Sequence, residues 1–147
     1  MMKKNTILKS LLILFPVLAV GLATTPDSVM VFDTLTAETQ YFSYFDVLPV
    51  VNLQMVTPMA ALLSAFSGIL AAVYLAKKKS NILKVSGYAA VASACLAAIP
   101  VVVRGDVMVL PNVALPIFML MQYLISSMMK KAEKEEPKKN NKRLSRR

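Results

Sequence analysis

Residues 55–76, which read MVTPMAALLSAFSGILAAVYLA, decide the fold because they form a run of 22 residues without a charged side chain. A helix of about 20 apolar residues is long enough to cross the hydrocarbon of a lipid bilayer. Two further uncharged runs follow, at 85–103 and 107–129. In hydrocarbon every backbone N–H and C=O group needs an internal partner, so continuous apolar runs of this length form helices. The sequence therefore predicts a transmembrane helix in each run.

The first apolar segment, at about 7–25, is shorter and permits two interpretations. It follows a pair of lysines, contains Lys9 and is interrupted by Pro16. A basic start, an apolar middle and a small-residue end also describe a cleavable signal peptide. The Lys9 side chain can extend its amine to the membrane surface, which allows a full span. We expect an uncleaved first span, and cleavage near Thr24 is the alternative.

The composition is that of a membrane protein. Of the 147 residues, 56% are hydrophobic and 17% are charged, and the mean hydropathy is +0.58. Soluble domains carry about a quarter charged residues. The chain has no His and one Cys, so the commonest general base is missing, and no internal disulfide or Cys-cluster metal site can form. We predict no catalytic, metal-binding or cofactor-binding residue, and hence that the chain is not an enzyme.

The basic residues occur in alternate segments of the chain. Sixteen of the 17 Lys and Arg residues lie among the first nine residues, between the second and third spans or after residue 129, and the other is Arg104. Cytoplasmic segments of membrane proteins carry an excess of Lys and Arg. Both termini are therefore predicted to be cytoplasmic, with loops at 24–54 and 104–106 outside. The short basic N-terminus and compact loops are typical of a bacterial protein of the cell membrane.

The predicted fold is an all-α membrane protein, a four-transmembrane-helix bundle forming one domain over 1–129. The outer loop at 24–54 has four acidic and no basic residues, and two β-prone stretches, 28–32 and 40–45, flank a polar segment. This pattern predicts a small β-hairpin between the first two helices. Aromatic rings favour the membrane interface. The loop is either a cap on the lipid boundary or an outer recognition surface, formed by Tyr41, Phe42, Tyr44 and Phe45.

Small residues recur every four positions in the second and third spans. Side chains at i and i+4 share a helix face, and small side chains let two helix backbones approach closely. We predict that these two spans pack antiparallel through the two stripes, with a homodimer contact as the alternative. The predicted helix-packing residues are Ala60, Ser64, Gly68, Ala72, Ser86, Ala90, Ala94 and Ala98.

The fourth span contains prolines and amides at membrane depth. Pro111 and Pro116 each lack an N–H group and obstruct the preceding helical turn, and Asn112 and Gln122 are polar. A polar residue beside a kink can line a ligand cavity, here formed by Asn112, Pro116 and Gln122. The favoured alternative is that the amides bond neighbouring helices or the carbonyls that proline leaves free.

Residues 130–147 form a tail with nine basic and three acidic residues. So polar a segment is predicted to be disordered, and its lysines and arginines attract anionic lipid headgroups. Nucleic-acid binding is disfavoured because the tail has no aromatic residue for stacking. We expect a non-catalytic accessory or interaction protein of the lipid bilayer, whose partner is another membrane protein or a second copy. An oligomeric channel or carrier for a small neutral or apolar solute is the alternative.

Overall fold

The computed structural model of the chain describes residues 2–27, 29–33, 38–46, 55–104 and 110–144. Within these ranges the elements are α1 (Met2–Ala23), β1 (Val29–Asp33), β2 (Glu38–Phe42), α2 (Val56–Lys77), α3 (Ser80–Arg104) and α4 (Leu110–Leu144). Each helix contains a segment that is long and apolar enough to cross a membrane, namely Thr6–Ala23, Val56–Lys77, Ser80–Pro100 and Val113–Ala132. The prediction of four helices with the length and hydropathy of membrane spans is confirmed.

The four helices form a closed ring in which each packs against two others. α2 contacts α1 and α3, and α4 contacts α3 and α1. On α1, Phe15 lies with its ring centre 5.9 Å from that of Phe118 in α4. Its neighbour Pro16 lies against α2, where a Cβ atom added to Gly68 would be 3.1 Å from the Pro16 Cβ. The N-terminal helix is therefore seated in the bundle on two sides.

The link between α2 and α3 is only two residues long. Lys78 has a φ of 50°, in the left-handed region, and its backbone N–H donates to the Tyr74 carbonyl at 2.7 Å. This bond satisfies one of the carbonyls left over at the end of α2. Lys79 completes the link, and α3 begins at Ser80.

The contacts between α2 and α3 define an antiparallel pair. The Ser67 hydroxyl bonds the Ser86 carbonyl, and the Ser93 hydroxyl bonds the Ala60 carbonyl. The contact thus moves seven residues back along α2 as it moves seven residues forward along α3. A seven-residue repeat keeps two helices in contact over several turns.

The predicted small-residue stripe departs from this contact in the second half of α2. Ala60 and Ser64 are buried, whereas Gly68 faces Pro16 of α1 and Ala72 is exposed. In an α-helix each four-residue step overshoots a full turn by about 40°, so three steps displace a side chain by about 120°. Apart from Ala61, the buried positions of α2 instead alternate steps of three and four, at Thr57, Ala60, Ser64, Ser67, Ala71 and Tyr74.

The stripe on α3 follows its interface more closely than the stripe on α2. Ser86, Ala90 and Ala94 are buried and Ala98 is half-buried. Their four-residue spacing drifts in the same direction, but Ala89, Ser93 and Ala97 lie beside them and are also buried. The face of α3 turned to the bundle is therefore small along most of its length.

The fourth helix extends beyond the predicted span. The sequence predicts a helix at about 107–129 and a disordered tail at 130–147, whereas α4 is helical from Leu110 to Leu144. Residues 130–136 read KKAEKEE, and Lys, Ala and Glu are all strong helix formers. The helix therefore continues past the apolar segment.

The strands β1 and β2 pair antiparallel in the loop between α1 and α2. The register places Val29 opposite Phe42 and Asp33 opposite Glu38. The predicted strands at 28–32 and 40–45 are displaced by one and about two residues. Residues 34–37, which connect the strands, lie outside the described residues, so the predicted hairpin as a whole stays a prediction. The predicted outer turn at 104–106 is described only at Arg104, where α3 ends.

Candidate functional site

A layer of three buried polar side chains crosses the middle of the bundle. The Ser67 hydroxyl donates to the Ser86 carbonyl at 2.8 Å, and the Ser86 hydroxyl donates to the Ser67 carbonyl at 2.9 Å. The Gln122 amide nitrogen donates to the Ser67 hydroxyl at 2.8 Å and to the Ser86 hydroxyl at 3.3 Å. All three side chains are fully buried. We call Ser67, Ser86 and Gln122 the polar layer.

Apolar side chains lie on both sides of the polar layer. One cluster contains residues nearer the strands, including Ala61, Ala90 and Met119. The other lies nearer the α2–α3 link and includes Ala71, Leu83 and Ile125. Since the layer is separated from both ends of the bundle, its hydrogen bonds form in a medium of low dielectric constant, where unpaired polar groups are costly.

Gln122 joins two helices that are not packed neighbours. It extends from α4 to α2, and its Oε1 atom is buried without a hydrogen-bond partner among the described residues. Pro116 lies six positions earlier and is half-buried, so the two residues point about 120° apart around α4. The side chain of Asn112, the third residue of the predicted cavity, lies outside the described part of the chain. The structure thus brings Gln122 to one serine of α2 and one of α3 and not to Pro116.

Sequence analysis missed Ser67, which contributes most to the polar layer. Ser67 does not fall on the four-residue stripe, but it follows Ala60 by seven residues, and Ser86 precedes Ser93 by the same number. Small residues spaced by seven on adjacent spans, Ala60 and Ser67 on one and Ser86 and Ser93 on the other, are therefore the signal that could have identified this contact. By contrast, the hydroxyl of Ser64, which the stripe included, bonds only the Ala61 carbonyl of its own helix.

The four aromatic residues of the predicted outer surface divide into two groups. Tyr41 and Phe45 are 55% and 40% exposed, respectively. Tyr44 is fully buried among the apolar residues at that end of the bundle, and Phe42 packs against the same cluster. Only Tyr41 and Phe45 are therefore available to a partner in this conformation.

A tight turn inserts Tyr44 into the bundle. The Asp46 N–H donates to the Ser43 carbonyl at 3.1 Å, and the Ser43 N–H donates to the Asp46 carboxylate at 2.7 Å. These reciprocal bonds close a four-residue turn with Tyr44 at its second position. Burial raises the pKa of the Tyr44 phenol, and its hydroxyl has no hydrogen-bond partner among the described residues. The ring thus contributes through apolar contact.

Within the described part of the chain, no group of three or more His, Cys, Asp or Glu side chains is placed to hold a metal ion. Cys95 is a free thiol on the exposed side of α3. Comparison of the chain with protein-family models, with curated proteins and with solved structures found no match.

We expect the Ser67→Ala variant to lose about 1–2 kcal/mol of unfolding free energy, because it removes a bond between helices and leaves the Gln122 amide short of an acceptor. The matched control is Ser64→Ala, which removes a hydroxyl from the same helix but no bond between helices, and its loss should be below about 1 kcal/mol. Thermal or denaturant unfolding of the purified protein in detergent measures both. Adding Gln122→Leu to Ser67→Ala should recover part of the loss, and equal losses for Ser64→Ala and Ser67→Ala would contradict the role of the layer.

We expect Tyr44→Ala to destabilise the protein by about 3–5 kcal/mol, because it leaves a cavity where a buried ring packs. Tyr44→Phe keeps the ring and removes a buried hydroxyl without a partner, so its stability should equal or exceed that of the wild type. Tyr41→Ala, at an exposed ring of the same loop, should change stability by less than about 0.5 kcal/mol. Unfolding in detergent measures all three variants, and a large loss in Tyr44→Phe would show that the hydroxyl has a partner.

Proposed function

We propose that this chain is a small multi-pass integral membrane protein with a non-catalytic accessory or interaction role. The distribution of side chains in the bundle supports membrane placement. Large apolar residues cover its outside, as at Leu62, Ile69 and Leu124, each of which is at least half exposed. The buried residues of the described part include nine alanines and five serines, together with Gln122 and larger apolar side chains such as Leu12 and Leu115. In lipid, helices associate through small residues and interhelical hydrogen bonds. An apolar surface that faces lipid chains carries no penalty in solvation free energy.

The distribution of charge supports one orientation in the cell membrane. The link at Lys78 and Lys79 is basic, and residues 130–147 carry a net charge of +6. The opposite end of the bundle carries the acidic loop, in which Asp27, Glu38 and Asp46 are exposed. Because positive segments remain in the cytoplasm, the proposed topology has both termini inside and the strands outside. The basic segments then lie beside anionic lipid headgroups.

The outer loop is the proposed interaction surface. Tyr41 and Phe45 expose aromatic rings, and the exposed Glu38 and Asp46 lie within three residues of one or the other. Exposed aromatic residues are common at the centres of protein interfaces. Buried Tyr44 fixes this loop to the helix bundle, so the surface is held in one position. These features fit a membrane-protein partner whose outer surface is basic.

The second candidate function is an oligomeric carrier for a small neutral solute. The unpartnered Oε1 atom of Gln122 is the observation that favours it, because a buried acceptor can bind a donor group of a solute. The other polar atom of that side chain is already bonded to Ser67 and Ser86. The interaction role accounts for more of the observed contacts.

The orientation can be measured with two single-cysteine variants in a Cys95→Ser background. A membrane-impermeant maleimide added to intact cells should label Tyr41→Cys and leave Lys79→Cys unlabelled, because the basic link faces the cytoplasm. Permeabilised cells should give labelling of both, and Cys95→Ser alone gives the background. Labelling of Lys79→Cys in intact cells, with Tyr41→Cys protected, would reverse the proposed topology.

The interaction role can be tested by placing a photo-crosslinking amino acid at Tyr41 or Phe45 in cells that produce the chain naturally. Both positions should capture the same partner protein, identified by mass spectrometry, because both rings are exposed on one loop. The matched control is Ile69, which is exposed on the apolar surface of α2 and should capture lipid. Adducts with a second copy alone, combined with solute flux through reconstituted liposomes that Gln122→Leu abolishes, would favour the carrier.

A further inference from the structure

A cleft of about 70 Å³ lies between α3 and α4 at the basic end of the bundle. None of the lining residues is acidic, and they are Leu83, Lys84, Gly87, Tyr88, Tyr123, Ser126, Ser127 and Lys130. Lys84 follows the start of α3 by four residues, which places the cleft within the first turns inside the proposed membrane surface. Two cations and no carboxylate give the cleft a net positive charge.

Ser126 gives this cleft a polar group without a partner. The residue is only 4% exposed, and its hydroxyl has no hydrogen-bond partner among the described residues. A serine inside a helix can bond a carbonyl of the preceding turn. The Ser126 hydroxyl makes no such bond among the described residues, so on the wall of the cleft it is a candidate donor to a ligand. Gly87 opens the space in front of it, because a Cβ atom there would lie 3.9 Å from the Ser126 hydroxyl and 3.4 Å from the Tyr123 ring.

We infer that this cleft binds the phosphate of an anionic phospholipid headgroup. Lys84 and Lys130 supply the charge, the Ser126 hydroxyl donates to a phosphate oxygen, and Tyr88 and Tyr123 border the site. Hydrogen bonds between a charged and a neutral group are among the stronger ones in proteins. The proposed ligand satisfies the free hydroxyl and neutralises two lysines that no lining residue pairs.

The surroundings of the cleft favour a lipid over a soluble phosphate. Tyr88 is 68% exposed, and Val85, Leu124 and Met128, each adjacent in sequence to a lining residue, are about half exposed. An apolar surface therefore continues from the polar cleft along the outside of α3 and α4. A phospholipid has the same arrangement, a charged headgroup joined to apolar chains. The site depends on the proposed membrane placement of the chain.

Native mass spectrometry of the full chain in detergent measures the binding, with dioleoyl-phosphatidylglycerol and dioleoyl-phosphatidylcholine as probes. We expect the anionic lipid to bind more tightly, and the double variant Lys84→Gln with Lys130→Gln to weaken it about 30-fold, since each basic residue near an anionic headgroup contributes about a factor of five. The control pair is Lys79→Gln with Lys131→Gln, which removes the same charge from exposed positions outside the cleft. Equal weakening by both pairs would overturn the site in favour of diffuse attraction.

Ser126→Ala separates binding from folding. Because the hydroxyl has no partner, its removal should leave the unfolding temperature unchanged or raised while it weakens binding of the anionic lipid about 10-fold. Unchanged affinity in Ser126→Ala would overturn the assigned donor. Gly87→Val, which fills the cleft without altering charge, should also abolish preferential binding.

Inorganic phosphate is the probe for a soluble ligand. If millimolar phosphate binds the wild type as the anionic lipid does, in a manner sensitive to Lys84→Gln with Lys130→Gln, the lipid assignment is overturned.

Alkaline carbonate extraction of the source membranes distinguishes failure of the lipid site from failure of the proposed membrane placement. A chain that stays in the pellet but shows no preference for the anionic lipid contradicts this site alone, whereas a chain released into the supernatant contradicts the membrane placement itself.

Discussion

The bundle depends on the polar layer, because in an apolar medium hydrogen bonds are the directional interactions that can fix helix positions. Ser67 and Ser86 exchange hydroxyl–carbonyl bonds across α2 and α3, and Gln122 joins this pair from α4. Alanine contacts alone tolerate sliding, since one small residue packs much like the next. A misplaced helix would leave two hydroxyls and an amide unpaired in a dry interior. The layer therefore sets the depth of three helices relative to one another.

The two ends of the molecule are organised differently around this layer. Toward the strands, a loop residue completes the apolar interior, because Tyr44 inserts a ring that no helix supplies. Toward the α2–α3 link, Leu12, Leu83 and Ile125 fill the interior from the helices themselves, and lysines surround the rim. One end thus presents a positioned loop, and the other presents positive charge and a cleft, which in the proposed topology lie outside and at the lipid headgroups respectively.

Much of the helical architecture could be predicted from the sequence, since uncharged runs of 19–23 residues have few alternatives to a membrane-spanning helix. The buried faces of the helices were harder to predict. A repeat of four residues includes Ala72, whereas the observed alternation of three and four excludes Ala72 and includes Ser67. The partners of Gln122 lie 55 and 36 residues away, so no local pattern identifies them. Tyr41 and Tyr44 are both tyrosines of the same β-prone run, so the sequence does not show which ring is buried. In the structure Tyr44 lies in the turn at Ser43–Asp46, which directs its ring into the bundle.

The two-residue link at Lys78 and Lys79 has a consequence for biosynthesis. The reciprocal serine bonds and the bond from Ser93 to Ala60 all lie within α2 and α3, so this pair can satisfy its buried hydroxyls as a hairpin while later residues are still being translated. Chains emerge N-terminal end first, so α4 joins a helix pair whose serine hydroxyls are already bonded and adds the Gln122 donor together with apolar side chains such as Met119 and Ile125. Under the proposed membrane placement, the α2–α3 pair can insert with its own hydroxyls bonded, and the Gln122 hydrogen bonds form only when α4 lies at the matching depth.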